Sequence, residues 1–106
     1  MNQKVTINGI DIEIGSDNPY ADEMLVKAKL AHEIAQIIKS RHLTQQRAAD
    51  LLGMPQSKLS EMLRGKFRGI SQAKMIECLN RLGRDAEIVV KKAGSSALGH
   101  TQVVVA

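Results

Sequence analysis

The 106-residue chain carries fifteen Lys/Arg against eleven Asp/Glu, a net charge of +4, with no Trp, one Tyr and one Phe. That length suits one domain with a modest core. The scarcity of rings demands an aliphatic core and counts against single-strand binding, which stacks bases on aromatic side chains. Cys78 is the only cysteine, so no intrachain disulfide can form, which suits a reducing compartment. The N-terminus has no basic segment followed by a long apolar run, and no apolar run approaches the roughly 20 residues that span a bilayer. The expectation is a soluble cytoplasmic protein.

Along the chain, "KVTINGIDIEI" alternates apolar and polar residues around Asn8-Gly9, a turn dipeptide, and predicts a short strand or small hairpin. "SDNP" stops it, with Asn18 placed to cap a helix that opens on Pro19. From about Tyr20 to Ser40 the pattern is helical: Leu30, Ile34, Ile37 and Ile38 recur at helical spacing, with Ala31 and Ala35 beside them. Thr44 is an N-cap for a second helix running through Leu52, with Ala48, Leu51 and Leu52 inward and Gln45, Gln46 and Arg47 outward. Gly53 ends that helix in the left-handed conformation, and Pro55 is tolerated at a helix start. A third helix runs from Gln56 to Leu63, with Leu59, Met62 and Leu63 inward, and Gly65 closes it. Ser71 caps a fourth, Gln72 to Leu82, with Ile76, Leu79 and Leu82 as its stripe and Gly83 at its end. "AEIVV", 86–90, is rich in β-branched residues and predicts a strand. "KKAGSSALGH" reads as a linker, and "TQVVVA" as a second short strand or ordered tail. No internal repeat is present. The expected organisation is an arm over residues 1–18, a helical domain over 19–84 and a C-terminal element over 85–106.

Charge is unevenly spread. Residues 1–23 hold one Lys against five acids, whereas residues 24–70 hold nine Lys/Arg against three. A basic middle attracts a polyanion, although a solvated charged surface gives the same count. The third helix is more informative. Its inward face needs only Leu59, Met62 and Leu63, and the rest of "QSKLSEML" can donate or accept hydrogen bonds. Two helices joined by a tight glycine-containing turn make a helix-turn-helix, whose second helix enters the DNA major groove. In that geometry Gln56, Ser57 and Lys58 meet base edges in the first turn: Gln pairs with adenine, Lys donates to guanine and Ser is permissive. Ser60 and Glu61 follow one turn on, and Glu61 could accept from a cytosine amino group or pair with Lys58 or Arg64. Thr44, Gln45 and Gln46 open the second helix, where a helix N-terminus meets phosphate. Arg64, Lys66 and Arg68 follow the third helix and are expected to neutralise backbone charge, the alternative being a solvated basic loop.

"LTQQRAADLLGMPQSKLSEMLRGK" resembles the helix-turn-helix of phage repressors and the wider Xre regulators. The flanking "SDNPYADEMLVKAKLAHEIAQIIKSRHLTQ" and "GISQAKMIECLNRLGRDAEIVVK" are similar to HigA-like antitoxins, so the resemblance covers roughly residues 16–92. It implies a mainly α, lambda-repressor-like bundle of four to five helices, to which the chain adds short β-strands at its two ends. It also implies a homodimer on double-stranded operator DNA that represses its own operon and silences a RelE/HigB-type ribonuclease toxin. A stand-alone Xre-type regulator without a toxin is the alternative. By position, Gln45 resembles the phosphate-clamping glutamine of phage repressors, and Gln56 and Ser57 fall where those repressors read bases. Pro55 differs from the Ser or Thr that often caps the recognition helix there. "KVTINGIDIEI" is more strand-like than that subgroup's N-terminus.

An enzyme is not expected. His32, His42 and His100 are scattered, and no H-E-x-x-H, Cys pair or phosphate-binding glycine motif is present, so neither metal nor cofactor is expected. Cys78 reads as a small apolar core residue. The remaining rival is a protein-interaction module in which the third helix docks on a partner. The 86–90 strand and its apolar neighbours are expected to form part of a dimer interface, because exposed β-branched edges pair with other chains.

Overall fold

The structure, a computed structural model, describes the backbone of residues 3–7, 10–14, 19–67, 69–92 and 99–106, with side chains from residue 22 onward. Asn8-Gly9, the Asn18 cap, Arg68 and most of the expected linker lie outside the described residues. The elements in chain order are β1 (Gln3–Ile7), β2 (Ile10–Ile14), α1 (Pro19–Ser40), α2 (Gln45–Leu52), α3 (Gln56–Leu63) and α4 (Gln72–Arg81). β1 and β2 pair antiparallel, with Val5 opposite Ile12, and the hairpin lies beside α1. The bundle is mainly α, with four helices among the described residues.

The long α1 supplies one wall of the core. Val26, Leu30, Ala31, Ile34, Ile37 and Ile38 are buried on it within an arc of about 140°, as a 3.6-residue repeat allows for a helix covered along one side, and Ala28 is buried about 60° beyond that arc. α4 packs against α1, and the α2–α3 pair closes the remaining side. The most enclosed side chains are Ile34, Leu52, Leu59, Met62, Met75, Cys78 and Leu82. The core is aliphatic except for Phe67, which is buried between α3 and α4 together with Ile70.

Two facial assignments are corrected. On α2 the buried residues are Ala48, Ala49 and Leu52, whereas Leu51 is 46% exposed. At about 100° per residue those three span about 100° of arc, and Leu51 falls about 60° beyond its edge. On α4 the buried set is Met75, Cys78, Leu79 and Leu82, and Ile76 is only partly buried at the flank. A third correction concerns the C-terminus. Residues 84–92 and 99–106 have no regular secondary structure, so neither 86–90 nor the final segment is a strand in the single chain. A strand needs a neighbour for its backbone donors and acceptors, and no other strand borders these segments among the described residues. The last segment instead returns to α1. Lys29 Nζ donates to the Val103 carbonyl at 3.2 Å, His100 Nδ1 lies 3.1 Å from Asp22 Oδ2, and Val103 packs on the core.

All four helices end with the same pair of backbone hydrogen bonds, one spanning six residues and one spanning four, around a left-handed residue. Three use glycine there; α1 uses His42 at φ 53°. Arg41 then reaches across and donates from Nη2 to the Leu82 carbonyl at 2.6 Å, tying the C-terminal ends of α1 and α4 together. No helix of the described residues is long and apolar enough to cross a membrane.

Candidate nucleic-acid interface

The α2–turn–α3 unit is set by its caps. Thr44 sits extended (φ −71°, ψ 159°), and its hydroxyl accepts from the Arg47 N–H at 3.1 Å, which fixes where α2 begins. At the other end Gly53 adopts φ 64°; its N–H donates to Asp50, and the Met54 N–H donates to Ala49 at 3.1 Å. The left-handed backbone angle favours glycine here, and a Cβ would lie 2.9 Å from Arg81 Nη1, so the flexible guanidinium would have to shift. Met54 packs on the core and anchors the turn.

Pro55 occupies the N-cap of α3 at φ −61° and ψ 144° with no side-chain cap. Gln56 is therefore the first helical residue. The proline ring preorganises φ for the helix entry, so the turn holds its shape without a capping hydroxyl. Ser71 caps α4 by accepting from the Lys74 N–H at 3.0 Å.

Leu59 and Met62 bury one side of α3, and Leu63 is partly buried beside them. Gln56, Ser57 and Lys58 are exposed in its first turn, and Ser60 and Glu61 are half-buried one turn on. No ion pair joins Glu61 to Lys58 or Arg64 among the described residues. Thr44, Gln45 and Gln46 are exposed at the start of α2, and Arg64 and Lys66 are exposed just past α3. The arrangement presents uncompensated donors on one helix face, with cations at that helix's end and a second helix N-terminus nearby. Such a surface matches the chemistry of a polyanion with readable edges.

The side chains that expectation missed come from α4. Lys74 and Arg81 both pair with Glu77 at 3.3 Å, and the Arg81 guanidinium lies over the Gly53 turn. The hydrogen bond and charge of Lys74, aided by Arg81, hold the Glu77 carboxyl below its ordinary range. These residues lie 21 to 28 positions downstream of Gly53, and no local pattern in the chain announces their approach. Cys78, one residue on, is buried, and desolvation raises its thiol above the ordinary value, as befits a core residue.

A family model described as a helix-turn-helix domain matches residues 13–91. A solved structure described as "Putative XRE Family Transcriptional Regulator" superposes with a TM-score of 0.77 at 36% sequence identity, covering 83% of this chain and 100% of that one. The chain belongs to the Xre family of helix-turn-helix proteins. No curated protein matches it. This Xre protein carries the family unit on α2 and α3, braced by α1 and α4.

Proposed function

We propose that the protein is a sequence-specific, DNA-binding transcriptional repressor that acts as a homodimer. The observation that carries this reading is the exposed polar first turn of α3, held directly behind the Gly53 turn on a fully apolar inner face. With α3 in the major groove, Gln56, Ser57, Ser60 and Glu61 face base edges. Thr44, Gln45, Gln46, Arg64, Lys66 and Arg68 contact the phosphate backbone on either side. Two protomers then span half-sites about 34 Å apart. The exposed Ile88, Val89 and Val90 support a dimer in which residues 86–90 pair with their counterpart and gain the missing strand neighbour.

The finer role is that of an antitoxin, which represses its own operon and neutralises a RelE/HigB-like ribonuclease toxin encoded beside it. It rests on the sequence resemblance over residues 16–92. Co-expression and co-purification with the product of a neighbouring gene of toxin type tests it, and failure to form a complex leaves a stand-alone Xre-type regulator.

Two substitutions test the groove reading on a duplex selected from a random pool. Gln56→Ala costs roughly 1–3 kcal/mol on the selected site and relaxes preference at one base position. Lys66→Ala weakens all duplexes alike and lowers the slope of log K against log salt by about one. Identical behaviour of the two variants removes the division between base readers and phosphate contacts.

A further inference from the structure

A shallow recess opens beside the start of α3, floored by Met54, Pro55 and Ile70 and flanked by Lys58 and Lys74. Its volume is about 230 Å³, below the range of roughly 300–1,000 Å³ usual for small-molecule sites. Lys58 comes from α3, Lys74 from the first turn of α4, and the apolar floor from the turn and from the loop between α3 and α4. The turn with α3, the α3–α4 loop and the start of α4 therefore bring two lysines to the rim of one concavity.

The aim of Lys58 distinguishes it from its neighbours on α3. Its Nζ lies 3.5 Å from where a Cβ on Gly69 would stand, so the side chain runs along the recess toward the α3–α4 loop. Gly69, at φ 79°, has no side chain to block it. Among the described residues no carboxylate pairs with Lys58. Lys74 has only Glu77 at 3.3 Å, and Glu77 is shared with Arg81, whose guanidinium overhangs Gly53 at the recess edge. Among the described residues, Lys74 and Arg81 thus share one acid, and Lys58 beside them has none. An apolar surround strengthens the pull on an anion.

We propose that this recess is a phosphodiester site, in which Lys58 and Lys74 jointly hold one backbone phosphate of duplex DNA, so that Lys58 acts as a phosphate contact and not as a guanine reader. The proposal rests on the DNA-binding reading above. It adds a contact on α4, and it pins the flank of α3 at the groove edge while Gln56 and Ser57 remain free for bases.

The test measures binding of the full chain to a selected duplex and to a random duplex of equal length across a range of salt. Lys58→Ala is expected to weaken both duplexes by the same factor, at most roughly tenfold at 0.1 M salt, since one phosphate contributes about 0.9 to the slope of log K against log salt. Lys58→Arg, which keeps the charge, restores most of the loss. The Lys58→Ala/Lys74→Ala double variant loses about one unit of slope in total, because both ammonium groups serve one phosphate. A loss near two units separates the lysines onto different phosphates and overturns the shared site. Relaxed preference at one base pair with an unchanged slope makes Lys58 a base reader and also overturns it, while the Gln56→Ala effect stands. No binding of either duplex by the unaltered protein overturns the proposal together with the reading beneath it.

Discussion

In the helical body, Leu52, Leu59, Met62, Met75 and Leu82 are wholly covered; in the C-terminal segment, Ile88, Val89 and Val90 stand 84%, 76% and 92% exposed. Both regions are rich in apolar residues, but they are spaced differently. Residues three and four apart share a face on a helix, and three neighbouring helices of the same chain cover that face. Three consecutive β-branched residues point alternately to opposite sides of an extended chain. Covering them requires a strand neighbour that this chain does not supply among its described residues. The contrast separates a region whose apolar residues are covered by its own chain from one whose apolar residues are left exposed, the segment proposed above to pair with a second copy.

The largest expected effect tests the self-sufficient region. Leu59→Ala leaves a cavity at the junction of α3 and the core and costs about 2–5 kcal/mol in chemical denaturation. Against a typical total of about 5–15 kcal/mol that is a severe loss. A cost below about 1 kcal/mol would mean that α3 is not integral to the core.

The second effect tests the dependent region. Ile88→Asp with Val90→Asp, both on one side of the extended segment, should abolish dimers in sedimentation velocity while leaving the helical body folded by circular dichroism. Each lost side chain is worth about 1.5–3 kcal/mol of burial per protomer if the segment pairs as proposed. These substitutions are cleaner than truncation after residue 85, which would also remove the Val103 and His100 contacts with α1. Persistence of a full dimer would assign the interface elsewhere.

The smallest effect concerns the one helix end without glycine. His42 holds φ 53°, a conformation that costs an L-residue roughly 1–2 kcal/mol. Glycine is free of that strain but loses more entropy on folding, about 0.5–1 kcal/mol. His42→Gly should therefore raise stability by up to about 1.5 kcal/mol in a thermal melt. A fall would show that the imidazole contributes contacts that outweigh the strain.

Much of the fold was legible because local chemistry marks it. Thr44, Gly53, Pro55 and Ser71 punctuate the helices where their capping and turn preferences lie, and the α2 and α3 limits follow from them. The polar first turn of α3 stood out for the same reason: it had hydrogen-bonding residues where packing required none. Leu51 and Ile76 were assigned to the wrong faces, and Met75 was left out, because an eight- to ten-residue helix with several apolar residues offers more than one stripe. Which stripe is buried depends on the neighbouring helices, α3 and α4 for α2 and chiefly α1 for α4. The 86–90 segment was read as a strand from its β-branched content, but strand formation also needs a partner edge.

Local residue patterns were thus enough to define four helices, the Thr44 and Ser71 caps, and a turn that exposes Gln56 and Ser57 behind an apolar anchor. These features depend on interactions within a few residues of one another. The convergence of Lys58 and Lys74, the overhang of Arg81 on Gly53 and the return of Val103 to α1 were decided only by tertiary packing. Such contacts join residues 16 to 74 positions apart, and their geometry follows from how the helices cross, which no short stretch of chain encodes.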